Sequence, residues 1–253
     1  ATSMAGIHNI DQRSPLIRFE QDSVCIECEQ FGASHSGFVP GTSSVIWPSA
    51  KLFSEYLCAN PSIVQGRQCA ELGAGIGLVG LVAAALQAER VVLTDMDAGL
   101  PLLKDNAARN GGLAHVAELC WGDDAQIDAL GRGTFDVVLA TDVICHQEAD
   151  VMEQLTRTIA QLLRPGGVGL VCYEFRDDWL TASYFQDAAK AAGLHVDSET
   201  LPAPDDMDDD FFVYTLCLVP EAESAPAPCT VAGDDAVQEV LSASDFPSSC
   251  RLL

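Results

Sequence analysis

Apolar and polar positions alternate with two different periods along this chain, and the changes of period mark its elements. Over Ile17–Gln30 (IRFEQDSVCIECEQ) the alternation runs residue by residue around a polar QDS turn, the pattern of a β-hairpin. A Gly/Ser-rich loop follows. Val45-Ile46-Trp47-Pro48 then leads into a helical pattern over Ser49–Ala59, with Pro48 suited to its first turn. Beyond it, apolar runs at Gln68–Leu72, Arg90–Thr94, His115–Cys120, Phe135–Ile144 and Val168–Phe175 read as strands. Helical periodicity fills the gaps at Leu78–Gln87, Leu100–Asn110, Ala149–Leu163 and Trp179–Ala192, and Arg164-Pro165-Gly166-Gly167 is expected to stop the fourth helix. Near-continuous apolar strands separated by helices imply a parallel sheet covered on both faces. The rhythm then breaks: Leu194–Leu201 and Phe211–Val219 are joined by PAPDDMDDD without a helix and should pair antiparallel. The predicted fold class is α/β, a doubly wound seven-stranded sheet of five parallel strands and an antiparallel C-terminal hairpin, extended by an N-terminal β-hairpin.

Composition sets the limits of this picture. A chain of 253 residues with an apolar share of 48% supports one large folded domain, assigned to residues 16–220. Residues 1–15 are expected to be flexible, and the acidic, Pro/Ala/Ser-rich stretch 221–253 to form a disordered tail. No run approaches the ~20 apolar residues that cross a bilayer, and the first residues lack a signal-peptide core. A cytoplasmic protein, with the nucleus as the other compartment, no membrane association and a monomeric state are therefore the expectations. The net charge of −24 argues against nucleic-acid binding, which needs clustered Lys and Arg. Most of the ten cysteines sit in strand-like runs, as reduced buried thiols do. Cys25 and Cys28 have no second pair or nearby His, so no metal is expected.

The chemistry is concentrated at QCAELGAGIGLVG, residues 68–80, where a strand, a glycine turn and a helix start meet. Side chains at 73 and 75 would stand between backbone and ligand, so Gly73 and Gly75 permit close approach. The helix start is expected to aim free N–H groups into the crevice, and Glu71 to set a carboxylate beside the turn, which suits a nucleotide-like ligand without strong negative charge. In an open α/β sheet the ligand lies outside the carboxyl ends of the strands. The next strand ends in Asp95, 22 positions beyond Gly73, where an acid can accept both hydroxyls of a ribose; Asp97 is the fallback. Trp121 at the third strand's mouth suits a purine face, with Asp123 near its amino group, and Thr141-Asp142 end the fourth strand beneath the ligand's reacting end. An NAD fingerprint would need Gly at 78, which is Leu78, and no P-loop motif occurs.

Taken in order, the N-terminal hairpin, VIWP, ELGAGIGLVG, VLTD, CWG, DVVLATD and CYEFR resemble the class I, seven-β-strand S-adenosylmethionine-dependent methyltransferases over about residues 16–220. Within that Rossmann-like class the chain is similar to the non-histone protein-lysine methyltransferases of the methyltransferase-like 21 type. The resemblance implies S-adenosyl-L-methionine as cofactor and a lysine-containing protein as substrate. It implies that Trp47, Glu71, Gly73, Ala74, Gly75, Asp95, Trp121 and Thr141 line the cofactor pocket. Asp142 matches the acid of the family's D-x-x-Y/F motif, and Cys145 departs from that motif's aromatic. Tyr173 is the candidate ring in its place, and Asp142 with Glu174 would orient the incoming amine. His146 reads as a cap or surface residue that could instead touch substrate, Asn106 and Asn110 as capping and packing groups, and Asp205–Asp210 as a solvated loop or a guide for a basic substrate. A small-molecule methyltransferase on the same fold and a non-catalytic cofactor-binding scaffold are the alternatives.

Overall fold

The computed structural model describes residues 12–31, 36, 43–144, 147–176, 178–202 and 210–220. The alternating segment folds as β1 (Leu16–Gln21) and β2 (Val24–Glu29), paired antiparallel from Leu16↔Glu29 to Gln21↔Val24. Cys25 is exposed and Cys28 buried, because positions an odd number apart on a strand face opposite sides. Helix α1 (Pro48–Ala59) starts with Pro48 in its first turn behind Trp47. There follow β3 (Gln68–Leu72), α2 (Leu78–Ala85), β4 (Arg90–Asp95), α3 (Leu100–Arg109), β5 (His115–Glu118) and α4 (Asp124–Leu130). The order closes with β6 (Phe135–Thr141), α5 (Ala149–Leu162), β7 (Leu163–Phe175), α6 (Trp179–Ala191), β8 (Leu194–Leu201) and β9 (Asp210–Leu218).

The main sheet has seven strands in the order β5-β4-β3-β6-β7-β9-β8. Pairing is parallel from β5 to β7, and β9 runs antiparallel to both β7 and β8. Strand order therefore reverses between β3 and β6, which opens a crevice above their carboxyl ends. One apolar cluster joins the hairpin, α1, α2 and α3 to one face of the sheet; a second joins α4, α5 and α6 to the other. No helix among the described residues is long and apolar enough to cross a membrane.

Three features depart from the sequence expectation. Helix α4 was not foreseen: Asp123 caps it by accepting from Gln126 N at 3.0 Å, in a segment read only as a strand mouth. Helix α5 stops at Leu162, just before the Arg164–Gly167 run, as expected, but that run is not a loop ahead of the strand. It lies inside β7, whose pairing with β6 shifts register between Phe135 and Val137 to absorb the extra residues. Within the segment expected to be loose, Gln12 Nε2 donates to Ile46 O at 2.7 Å, and Ser14 O accepts from Gln30 Nε2 at 2.7 Å. Cys145, His146, the Asp205–Asp210 run apart from the backbone of Asp210, and residues 221–253 lie outside the described residues.

Asn106 and Asn110 dock the hairpin on α3. Asn106 Oδ1 accepts from Glu29 N at 2.8 Å while its Nδ2 donates to Glu29 O and Ile76 O, both at 3.0 Å. One turn on, Asn110 Oδ1 accepts from Glu27 N at 3.0 Å and its Nδ2 donates to Glu27 O at 2.8 Å. Each side-chain amide thus pairs with β2 as a neighbouring strand would, covering an otherwise open edge. Asn106 is fully buried and ties the hairpin to the glycine loop through Ile76.

Candidate functional site

The crevice at the β3/β6 reversal has a volume of about 420 Å³, within the usual range for small-molecule sites. Trp47, Glu71, Gly73, Ala74, Gly75, Asp95, Trp121 and Thr141 all line it, together with Asp142. Gly73 and Gly75 turn the chain at φ +63° and +55°, where a side chain would be strained. A Cβ at Gly73 would come within 3.2 Å of Val143 and 3.4 Å of Trp121, so that glycine also keeps the floor of the crevice open.

Asp95 ends β4 and is 7% exposed. Its Oδ2 accepts from Gly75 N at 2.8 Å and its Oδ1 from Met96 N at 2.8 Å, which locks the carboxylate against the glycine loop. Each oxygen keeps a lone pair for one more donor. Burial raises its pKa above the usual carboxylate value, and the two backbone bonds pull it back down. Asp97, the fallback, is exposed and does not line the crevice.

Glu71 is 2% exposed, and its Oε2 accepts from Gly80 N at 2.9 Å. Two expectations change here. An α2 N–H expected to face the ligand is spent on Glu71 itself. Desolvation also pushes the Glu71 carboxyl up to about 8, with the Gly80 bond opposing and the Asp95 charge reinforcing the rise, so the group is a neutral acid at pH 7.

Trp47 is held from the hairpin side. Ile46 N donates to the buried Gln30 Oε1 at 3.1 Å, and Phe31 N donates to Ser44 O at 2.7 Å. At the far end, Thr141 Oγ1 is buried and has no hydrogen-bond partner among the described residues.

Asp142 and Glu174 are bridged by a cation. Arg176 Nη1 and Nη2 donate to Asp142 Oδ1 and Oδ2 at 2.9 and 2.6 Å, and Nη2 also donates to Glu174 Oε2 at 2.6 Å. The same guanidinium lies 5.3 Å from the Trp47 ring centre. Asp142 adopts φ +57° and its N–H donates to Cys172 O at 2.7 Å.

Tyr173 does not join this group. Alternation along β7 sends it to the face opposite Cys172 and Glu174, where it is 4% exposed and stacks on Tyr214 and Phe212 with centroids 5.4 and 5.8 Å apart. Its hydroxyl lies 3.2 Å from Tyr214 Oη, and burial raises its pKa. Asp123, occupied as a helix cap, also stays off the crevice wall.

Sequence reasoning missed Met96, Leu119, Gln147 and Gln154, which are among the other lining residues. Met96 directly follows Asp95, so position alone could have marked it. Gln147 and Gln154 come from a loop and helix whose approach only the fold reveals.

Comparison with known proteins gives a consistent result. A family model described as lysine methyltransferase matches residues 34–191. Protein N-lysine methyltransferase METTL21A of Mus musculus is 36% identical over 141 residues, 54% of this chain and 62% of that protein. EEF1A lysine methyltransferase 3 of Mus musculus is 30% identical over 149 residues, 58% of this chain and 62% of the relative. The chain thus spans about three fifths of the length of these relatives. Among solved structures, a TehB-like SAM-dependent methyltransferase from Corynebacterium glutamicum superposes with a TM-score of 0.51 at 19% identity, covering 68% of this chain and 88% of that one. A candidate methyltransferase solved with SAH gives 0.58 at 13% identity, covering 80% and 56%. At these identities the structures speak to the fold.

Proposed function

Since the chain belongs to the lysine methyltransferase family, we propose that it transfers methyl groups from S-adenosylmethionine to a lysine side-chain amine of a non-histone protein. The observation that carries the reading is a single crevice holding a ribose-type acid, Asp95, at one end, and at the other an unsatisfied Thr141 hydroxyl beside Asp142, whose partner Arg176 also reaches Glu174. The residues present fit the cofactor. Asp95 would take the ribose hydroxyls on its remaining lone pairs, Trp121 would cover the purine, and Gly73 to Gly75 would let the backbone approach. When bound, S-adenosylmethionine supplies an electrophilic methyl on a positively charged sulfur.

The protein's own part is positional, a contribution of ~7–11 kcal/mol when reactants are held near attack geometry. The acceptor amine must be neutral, whereas a lysine ammonium titrates near ~10.4 in water. Asp142 and Glu174, 4% and 11% exposed, would hold the arriving ammonium and orient it while it releases its proton to solvent. Neither is placed as a dedicated general base. A reducing compartment, cytoplasm or nucleus, belongs to the same reading, which is supported by the free thiols of Cys28 and Cys69, both pushed up to about 12 by burial.

Incubation of the full chain with methyl-labelled cofactor and a cell extract tests the proposal. A labelled protein band is expected, and Asp142→Asn should bind S-adenosylhomocysteine within about threefold of wild type yet transfer no label. Asn is chosen because it tolerates positive φ. Label in a small metabolite would replace the acceptor with a small molecule; no label at all would leave only a binding scaffold.

A further inference from the structure

We infer that Arg176 is the resident occupant of the acceptor-amine site, so that an amine enters only by exchanging with it, as an amine carried on a docked polypeptide does. The inference rests on the methyltransfer reading and extends it to the choice of substrate.

Two carboxylates and an indole face make a box for an organic cation: charge-assisted acceptors on one side and a π surface on the other. The chain fills that box with its own guanidinium. Arg176 satisfies both oxygens of Asp142 and one of Glu174, over Trp47, and is itself only 23% exposed. Asp142 and Trp47 also line the cofactor crevice, so the box and the crevice share a wall. Removing Arg176 without a replacement would take from the largely buried Asp142 carboxylate the guanidinium that meets both of its oxygens, a costly state. Departure of the guanidinium and arrival of another cation are therefore coupled.

That coupling selects among amines. Arg176 is tethered two residues from Glu174, and a tethered group competes at an effective concentration in the millimolar range or above. A free amine at ordinary concentration has no such advantage. A lysine on a polypeptide held at a second point does. The start of α6 offers an exposed apolar pair, Trp179 and Leu180 at 73% and 61% exposure, and the next residue, Thr181, donates from Oγ1 to O of the crevice-lining Gln147 at 3.4 Å.

The test follows the Trp47 indole N–H by NMR in the cofactor-free full chain during titration with n-butylammonium chloride at constant ionic strength, the signal being assigned with Trp47→Phe. Arg176→Ala and Arg176→Gln should bind the probe at least tenfold more tightly than wild type, and Arg176→Lys should stay within threefold of wild type. The gain should vanish in Asp142→Asn/Arg176→Ala. Parallel calorimetry with S-adenosylhomocysteine reports an intact fold, and Arg176→Gln gives the same reading if the alanine variant does not fold. Probe affinity equal to wild type in both neutral variants with cofactor affinity retained, or a gain that survives loss of the Asp142 charge, would overturn the inference. Wild-type protein that failed to bind S-adenosylhomocysteine would instead sink the methyltransferase reading, because the amine titration does not involve the cofactor.

Discussion

Glu71→Gln isolates the energetic consequence of burying an acid beside the glycine loop. Glu71 is 2% exposed, and desolvation lifts its pKa from 4.5 to about 8 despite the bond from Gly80 N. The folded chain therefore keeps a proton that the unfolded chain has already lost between these two values. Stability must fall as pH rises through that window, because the native state binds the proton more tightly. The slope is ~1.4 kcal/mol per pH unit for one proton, which accumulates to ~3 kcal/mol by pH 7 and ~4 kcal/mol by pH 8, where the native carboxyl is half ionised and the slope is falling. Glutamine keeps an oxygen for Gly80 N but does not titrate, so the variant escapes this loss. Urea unfolding of both proteins from about pH 5 to about pH 8 should show the variant gaining on wild type by ~1.4 kcal/mol per pH unit, while the other titrating groups cancel in the difference. Parallel stability profiles, with a difference constant to within ~0.5 kcal/mol, would show that the carboxyl ionises normally and would refute the desolvation argument.

Two further outcomes test the frame and the cofactor end. Asn106→Ala removes three hydrogen bonds and leaves Glu29 N–H, Glu29 O and Ile76 O unpaired at a fully buried position, so urea unfolding should report a loss of ~2–4 kcal/mol; a loss under ~1 kcal/mol would show that the docking of β2 on α3 does not depend on it. Asp95→Ala should weaken S-adenosylhomocysteine binding at least tenfold in calorimetry, and Gly75→Arg should abolish it by straining a φ of +55° and filling the crevice wall; unchanged affinity in both would remove the ribose and close-approach assignments.

How much of this was legible in the chain depends on how far apart the interacting residues lie. The run from Gln68 to Gly80 and the acid at Asp95 could be read directly, because a strand period, a glycine turn and a strand-end residue are local signals, and a doubly wound sheet always opens at those ends. All eight expected cofactor residues share one crevice, seven of them at or just beyond strand ends and Trp47 at the start of α1. Tyr173 does not fill the place of the aromatic that Cys145 lacks, because its parity against Cys172 and Glu174 sets it on the opposite face of β7, against Tyr214. Helix α4 escaped because it is only seven residues long and its cap, Asp123, looked like a ligand group.

The sequence by itself determined the alternation of strands and helices apart from α4, the glycine turn and the acid that ends β4, because each is written in a few consecutive residues. Only the tertiary structure decided that Glu71 is a neutral acid, that Asn106 pairs with Glu29 in a hairpin 77 residues away, and that Arg176 closes over Asp142 and Glu174. Charge state and hydrogen-bond partnership follow from what surrounds a group in space, and burial brings together side chains that the chain keeps far apart.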